Sequence, residues 1–474
     1  MDTQDRSKYK YLLSNIIAFL CGNVGTKLIS FFMVPLYTNV LLPEEYGEID
    51  LILSAAGVIS PFIAFGIHEG IMRFALDKDA DHSLILSIGL RIFAITSSVF
   101  VLVCVLLKSV PIISDDVWFL YGYCVLNELM TITLCYIRGC DNVKLYTFLG
   151  FLSGLFTALL NILFLVALKL ELIGYKTSML LSPVCTMVAA FLIGRMWDDI
   201  CLKKWNTKLA REMLNYSIVL IPNALLWWCI NASDRFIVSY ICGTAANGIY
   251  AVSYKIPTLL NTVSTIFMQA WQMSAIKEHE EKSNNHFARE IYVMLTFFMG
   301  LVTQVMLLLN KDLLQIYVSP EYQSAWRYSG PLMVAFFVDS LSTFWGSFYI
   351  AQKKMKKYML SAVVGAVANL VLNLCLIPWV GVIGAAVATL VSYVFVLLVR
   401  AIGIEKDATV AFVNKPLLSA FACSIVGMLA IYLIDPWSVI LGVVTIVIYI
   451  VINRDHMLSF VHRSRIILHT LKKN

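Results

Sequence analysis

Between residues 12 and 453 the chain is a succession of apolar runs of about 20 residues, separated by short charged or Pro/Gly-containing breaks. A run of that length matches the hydrocarbon thickness of a bilayer when it is helical. Barrel strands would instead alternate over about 10 residues. Inside lipid every backbone N–H and C=O must be satisfied within the protein, which leaves helices as the solution for such runs. Composition agrees. Of the 474 residues, 59% are hydrophobic and 14% charged, whereas soluble domains carry about 25% charged residues. A chain of this kind lacks the polar groups to cover itself in water.

The breaks predict an all-α polytopic membrane protein of about fourteen transmembrane helices. Four of the predicted spans cover residues 12–41, 49–70, 213–240 and 247–270. With the N-terminus placed in the cytoplasm, 27 of the 36 Lys and Arg fall in cytoplasmic segments and six on the outer side. That bias follows the positive-inside rule and predicts cytoplasmic N- and C-termini. It also assigns the net charge of +6 to the membrane surface and its anionic lipids, so nucleic acid is not an expected partner.

The longest and most basic linker, Arg195–Arg211, follows the sixth helix. It predicts an N-terminal lobe over 1–205 and a C-terminal lobe over 206–405, six helices each. Helices 13 and 14 and a basic tail occupy 406–474. The turns Leu41–Ser54 and Ile241–Ile256 have similar texture and would make Gly47 and Gly248 equivalent. Internal pseudo-repeats of this kind mark transporters that rock one half against the other; chance similarity of two loops is the alternative. Pro35, Pro61, Pro222 and Pro257 fall inside predicted spans, where each would bend its helix.

Charge inside a span costs about 2.5–3.5 kcal/mol on insertion scales and needs a partner or water. Lys27 shares a helical face with Asn23 and Ser30, the pattern of a cavity wall or of an interhelical ion pair. Lys255 shares a face with Thr258, Thr262 and Thr265, in a cavity wall or snorkelling to the interface. Arg91 has the same two readings. Glu128, Asp234 and Asp339 are the intramembrane acids, each a candidate for a coupling proton or sodium ion or a counter-charge to a nearby cation. Asn369 and Asn373 read as interhelical hydrogen-bond glue. Cations and hydroxyls together suit an anionic phosphate or diphosphate head, with sugars held by aromatics such as Trp227 and Tyr250.

No phosphate-binding loop, zinc-protease motif or nucleophile elbow is present, and no outer loop is long enough to carry catalytic acids. The chain therefore reads as a non-enzyme, without cofactor or metal. Most of the eleven cysteines, Cys104 and Cys124 among them, sit in apolar runs as small core residues.

Three stretches carry a resemblance: Asn23–Asp79, Ile221–Leu260 with its Asp234–Arg235 pair, and the YIRGCD turn Tyr136–Asp141. They resemble bacterial polysaccharide (O-antigen/oligosaccharide) flippases of the multidrug/oligosaccharidyl-lipid/polysaccharide exporter superfamily. The resemblance implies fourteen helices in two lobes around a central cationic cavity, and alternating access. It also implies a lipid-linked oligosaccharide substrate on undecaprenyl diphosphate. Lys27, Arg91 and Lys255 would face that diphosphate, an assignment resting on their charge and helical face. Membrane lipids and a polysaccharide polymerase are the expected partners, and the bacterial cytoplasmic membrane the expected location. A cation-coupled multidrug antiporter on the same fold, a peptidoglycan-precursor flippase and a non-transporting assembly scaffold are the rival readings.

Overall fold

The computed structural model describes residues 25–77, 79–107, 116–201, 204–280, 286–352, 354–405 and 412–456. Asn23, both chain termini and the tail beyond residue 456 lie outside the described residues. What is described is helical, and helix covers each predicted run over most of its described part. Nine described helices are long and apolar enough to cross a membrane. Lys415–Ala430 and Trp437–Ile452 are shorter apolar helices.

The chain divides into two compact units, Met1–Trp228 and Cys229–Asn474. Unit 1 contains α1 (residues 25–40), α2 (Pro43–Ile63), α3 (Ile67–Ala75), α4 (His82–Leu107) and α5 (Val117–Gly139). It continues with α6 (Val143–Asn161), α7 (Glu171–Gly194), α8 (Thr207–Ile218) and the first part of α9 (Ile221–Cys242). α5 is central, packing on α2, α3, α4, α6 and α7. Large apolar side chains such as Leu102, Leu106 and Ile173 remain exposed, as expected where the solvent is hydrocarbon.

Unit 2 contains the rest of α9, then α10 (Thr244–Ser253), α11 (Pro257–Glu280), α12 (His286–Leu308) and α13 (Asn310–Tyr317). α14 (Trp326–Ala351), α15 (Met355–Val380), α16 (Val382–Glu405), α17 (Lys415–Ala430) and α18 (Trp437–Ile452) complete it. α14 is the hub, packed by α10, α11, α12, α15, α16 and α17. Its apolar stretch is 78% buried, against 28% for the stretch at α6.

Three predicted spans are not continuous. The run 49–70 breaks after Ile63, where Phe65 and Gly66 are both left-handed (φ 46° and 62°) and the Gly66 N–H bonds back to the Pro61 carbonyl. A left-handed glycine ends a helix at little cost, whereas a left-handed Phe is uncommon. The runs 213–240 and 247–270 break before Pro222 and Pro257. These two prolines therefore open new helices at the second and first positions and do not bend existing ones, because a missing N–H costs nothing in a first turn. Pro61 lies in the last turn of α2, just before its break. Asn369 and Asn373 also differ from expectation: Asn373 Nδ2 donates to Asn369 Oδ1 at 2.8 Å along one helix, both residues fully buried.

Close helix approach in unit 1 depends on glycine. A Cβ on Gly139 at the end of α5 would stand 2.7 Å from the Ala75 Cβ and 3.2 Å from the Met72 carbonyl oxygen of α3. One on Gly70 of α3 would stand 2.6 Å from Ser217 Oγ of α8. Gly139→Val is expected to push α3 away from α5 and destabilise the protein by about 1–3 kcal/mol. Thermal unfolding of the purified protein in detergent reads this, and an unchanged midpoint would disprove the close packing.

Candidate functional site

Lys27 stands on α1, a helix anchored through its other face. Thr26 packs against α6, where a Cβ on Gly154 would meet the Thr26 methyl at 3.1 Å. Lys27 and Ser30 are exposed. Among the described residues Lys27 has neither a hydrogen bond nor an ion pair. The Ser30 hydroxyl donates to the Thr26 carbonyl at 3.1 Å. An ammonium near the middle of a predicted span, with no acid beside it among the described residues, is the feature a membrane protein tolerates least without a purpose.

Arg91 is placed differently. Its guanidinium lies 5.6 Å from the centre of the Trp205 ring, in the segment joining α7 to α8. The same segment is tied to α4 by Ser87 Oγ donating to the Cys201 carbonyl (2.8 Å). Lys204 Nζ bonds Asp81 Oδ2 at 2.9 Å just before α4. The Lys204 ammonium holds the Asp81 carboxyl below its ordinary range. The arginine thus braces the basic linker.

In unit 2 the predicted helix carrying Lys255 breaks at that residue. Lys255 is half-buried in the turn between α10 and α11, and its carbonyl accepts from Thr258 Oγ1 at 2.8 Å. Thr262 and Thr265 likewise bond back to their own helix. These threonines present hydroxyls with lone pairs to spare and no free proton.

Asp234, on α9, is fully buried. Its Oδ2 accepts from the Tyr250 hydroxyl at 2.6 Å and the Tyr254 hydroxyl at 3.0 Å. The Arg235 guanidinium lies 5.0 Å from the Tyr254 ring centre. Tyr250 is 0% exposed, so in this conformation its hydroxyl is committed to Asp234 and closed to a sugar. Nearby, Tyr393 donates to Asn231 Oδ1 at 2.9 Å. Trp227, in unit 1, is half-buried, and its neighbour Trp228 donates to the Ser54 carbonyl at 2.7 Å.

Glu128, on α5, is 6% exposed and approaches His68 of α3, with Oε2 at 3.2 Å from Nδ1. Asp339 is half-buried on α14 and makes no hydrogen bond or ion pair among the described residues.

Two functional-looking residues escape the sequence pattern. His68 is one. The other is Arg400, which ends an apolar run and reads as a cytoplasmic charge. In the structure it is 1% exposed. Its Nε donates to Ser361 Oγ (2.9 Å) and its Nη1 to the Ser342 carbonyl and hydroxyl (3.0 Å each). Its Cζ lies 4.6 Å from the Tyr358 ring centre. Ser342 is one turn beyond Asp339 on α14, so the unpaired acid sits in the field of this buried cation. The small residues Ser342, Gly346 and Ser361 on the facing helices make the space. They are the sequence signal for it, visible once the helices are paired.

Solved structures with the same fold include a lipid II flippase MurJ in an inward closed conformation. It matches with a TM-score of 0.64 at 11% identity over 94% of this chain and 100% of that one. A multidrug resistance MATE family transporter of the MOP superfamily, inward-facing, matches with a TM-score of 0.63 at 12% identity over 82% of this chain and 95% of that one. The Vibrio cholerae MATE transporter VcmN, as a point mutant, matches at 0.52 and 13% identity over 85% and 99%. At these identities the likeness establishes the fold. No curated protein matches by sequence. Residues 12–272, more than half the chain, match the family described as polysaccharide biosynthesis protein. This multi-pass protein of the bacterial inner membrane is therefore a member of the polysaccharide biosynthesis protein family.

Proposed function

We propose that the protein is a flippase. It moves undecaprenyl-diphosphate-linked oligosaccharide repeat units from the cytoplasmic to the outer leaflet by alternating access, for cell-surface polysaccharide synthesis. The observation that carries this reading is Lys27: an exposed cation within a span, with no acid in contact among the described residues. A diphosphate head is the counter-charge that would make such a position tolerable. Family membership supplies the pathway, and the fold is one that a lipid II flippase also adopts. The reading takes the chain as fourteen spans, with lobes over 1–205 and 206–405 and two further helices over 406–474.

Lys27, Arg91 and Lys255 are assigned to the diphosphate, Trp227 and Tyr250 to its sugars and Asn23 to the cavity wall beside Lys27; Arg91 and Tyr250 would first exchange their present contacts. The lipid tail stays in the bilayer. A membrane potential of 100 mV, inside negative, favours outward movement of each negative charge by about 2.3 kcal/mol, so no phosphate-splitting machinery is required. Asp339, Asp234 and Glu128 are the candidates for a coupling ion. Asp339 is favoured because it alone of the three makes neither hydrogen bond nor ion pair among the described residues.

Lys27→Ala and Lys255→Ala, alone or together, are expected to abolish surface polysaccharide in cells that depend on this protein. Normal polymer at normal protein level would defeat the assignment. Asp339→Asn is expected to cut export at least tenfold, and Arg400→Gln in the same chain to leave it impaired. Recovery in the double variant would instead make Asp339 a mere counter-charge to Arg400.

A further inference from the structure

Unit 1 carries a pair whose chemistry differs from that of its lone cations: a histidine against a buried glutamate, beside a helix break. Glu128 lies in the middle of α5, in a stretch apolar enough to span the membrane, and is 6% exposed. His68 is the one base within ion-pair distance of it among the described residues, at 3.2 Å. Both facing atoms, Nδ1 and Oε2, are buried, and in this conformation neither makes a well-formed hydrogen bond. The two are close enough to share a proton and not yet aligned to do so.

Among the described residues no other base stands within ion-pair distance of Glu128, and His68 has one further acid near it. On α3 itself, Glu69 Oε1 lies 3.9 Å from His68 Nε2 and is half in solvent. On α5, Cys124 and Cys135 flank Glu128 one and two turns away, and Arg138 stands at the end of the helix over the Tyr146 ring. From α8, Tyr216 packs on Phe74, beyond His68, while Arg211 and Glu212 are exposed. From α4, His82 lies against Tyr136 and Cys140 and not against His68.

The charge arithmetic is simple. With no proton, a neutral imidazole and a carboxylate leave one negative charge in a dry site. With one proton, on either partner, the pair is neutral overall. Imidazole is the side chain that changes charge nearest physiological pH. A buried negative charge is far more costly than a neutral pair, so proton release requires the pair to open to water. The means lies next to it. His68 is in the first turn of α3, directly after the left-handed Phe65 and Gly66. The His68–Glu128 contact is the ion pair joining α3 to α5 among the described residues.

We infer that His68 and Glu128 together bind a single proton, and that its occupancy sets whether α3 is closed on α5. Loading joins one proton to the pair and closes the contact; release returns the proton to water and frees α3 to swing about the Phe65–Gly66 break. This deepens the transport reading by naming a coupling proton in unit 1. It rests on that reading for its place in a cycle, though not for the binding itself.

The test uses full-length protein in phosphatidylethanolamine/phosphatidylglycerol bilayers. Infrared difference spectra between acid and alkaline buffer are expected to contain, beyond the bands of the other acids, one conversion that belongs to the pair, carboxyl-to-carboxylate or imidazolium-to-imidazole, in the wild type and in Glu69→Gln. It should vanish or move by about one pH unit or more in Glu128→Gln and in His68→Gln. Amide exchange over residues 60–75, corrected for intrinsic rates, should rise about tenfold as the wild-type pair loses its proton. It should stay flat in Glu128→Gln, which mimics the loaded state. An unchanged spectrum in Glu128→Gln, or pH-independent exchange in the wild type alone, would overturn the inference; the second needs no variant to fold. A protein that titrates as described but fails to restore surface polysaccharide would remove the transport reading and uphold the proton site.

Discussion

Hydrocarbon offers no hydrogen bonds, and each unit of this protein meets that condition largely from within, though a few buried atoms such as Gln304 Oε1 and Arg400 Nη2 make none. Hydroxyls inside spans mostly bond back to carbonyls of their own helix, as Thr186 does to Ser182, Ser217 to Met213, Thr303 to Met299 and Ser392 to Ala388. Buried charges draw on neighbouring helices. Asp234 takes two tyrosine hydroxyls. Arg400 takes a carbonyl, two serine hydroxyls and an aromatic face in place of a carboxylate. Lys176 of α7 is held by Glu48 of α2 at 3.0 Å and by Asp116 at 2.7 Å, which ties the ends of three helices together. In a solvent where an unmet polar group costs several kcal/mol, such arrangements are conditions of insertion as much as sources of stability.

That economy makes the exceptions informative. Among the described residues most charges that need a partner have one, so Lys27 and Asp339 stand apart. A fully self-satisfied interior would have no affinity left for an anionic head, because any ligand contact would first have to break an existing bond. Arg91, Tyr250 and Asp234 are close to that limit, bound respectively to Trp205 and to one another. On the proposed reading those contacts would have to be exchanged for them to meet substrate, whereas Lys27, with no partner among the described residues, would need only a ligand to arrive.

The helices were legible in the sequence because a span's length and polarity are local properties. Their interruptions were not, and for a definite reason. A proline inside an apolar run is equally compatible with a bend in one helix and with the first turn of a second. Pro222 and Pro257 took the second course, which moved Lys255 from a helix face into a turn. Partners were less legible still. Helical spacing tells which side chains share a face and says nothing of what that face meets. Glu128 could be singled out as an intramembrane acid, yet its base is 60 residues earlier in the chain. The ligands of Arg400 lie 39 and 58 residues away. Charge content was therefore readable and charge pairing was not.

The low identity to solved structures of the same fold follows from the same solvent. Bilayer thickness selects the length and apolarity of each span but is indifferent to which apolar residue fills a lipid-facing position. A chain can thus keep a fold at 11% identity. Specificity must then reside in the few polar positions that lipid would otherwise exclude. Each such charge carries an insertion cost of about 2.5–3.5 kcal/mol, similar to the roughly 2.3 kcal/mol that 100 mV supplies per charge moved. The costs and the driving force are thus commensurate. On the proposed reading, a diphosphate with two negative charges would draw about 4.6 kcal/mol from a 100 mV potential, more than the gain from relieving one exposed lysine on arrival, so the lysine need not become a trap. A dedicated acid beside Lys27 would cancel that gain, a physical reason, on that reading, for the position to have no acid partner among the described residues.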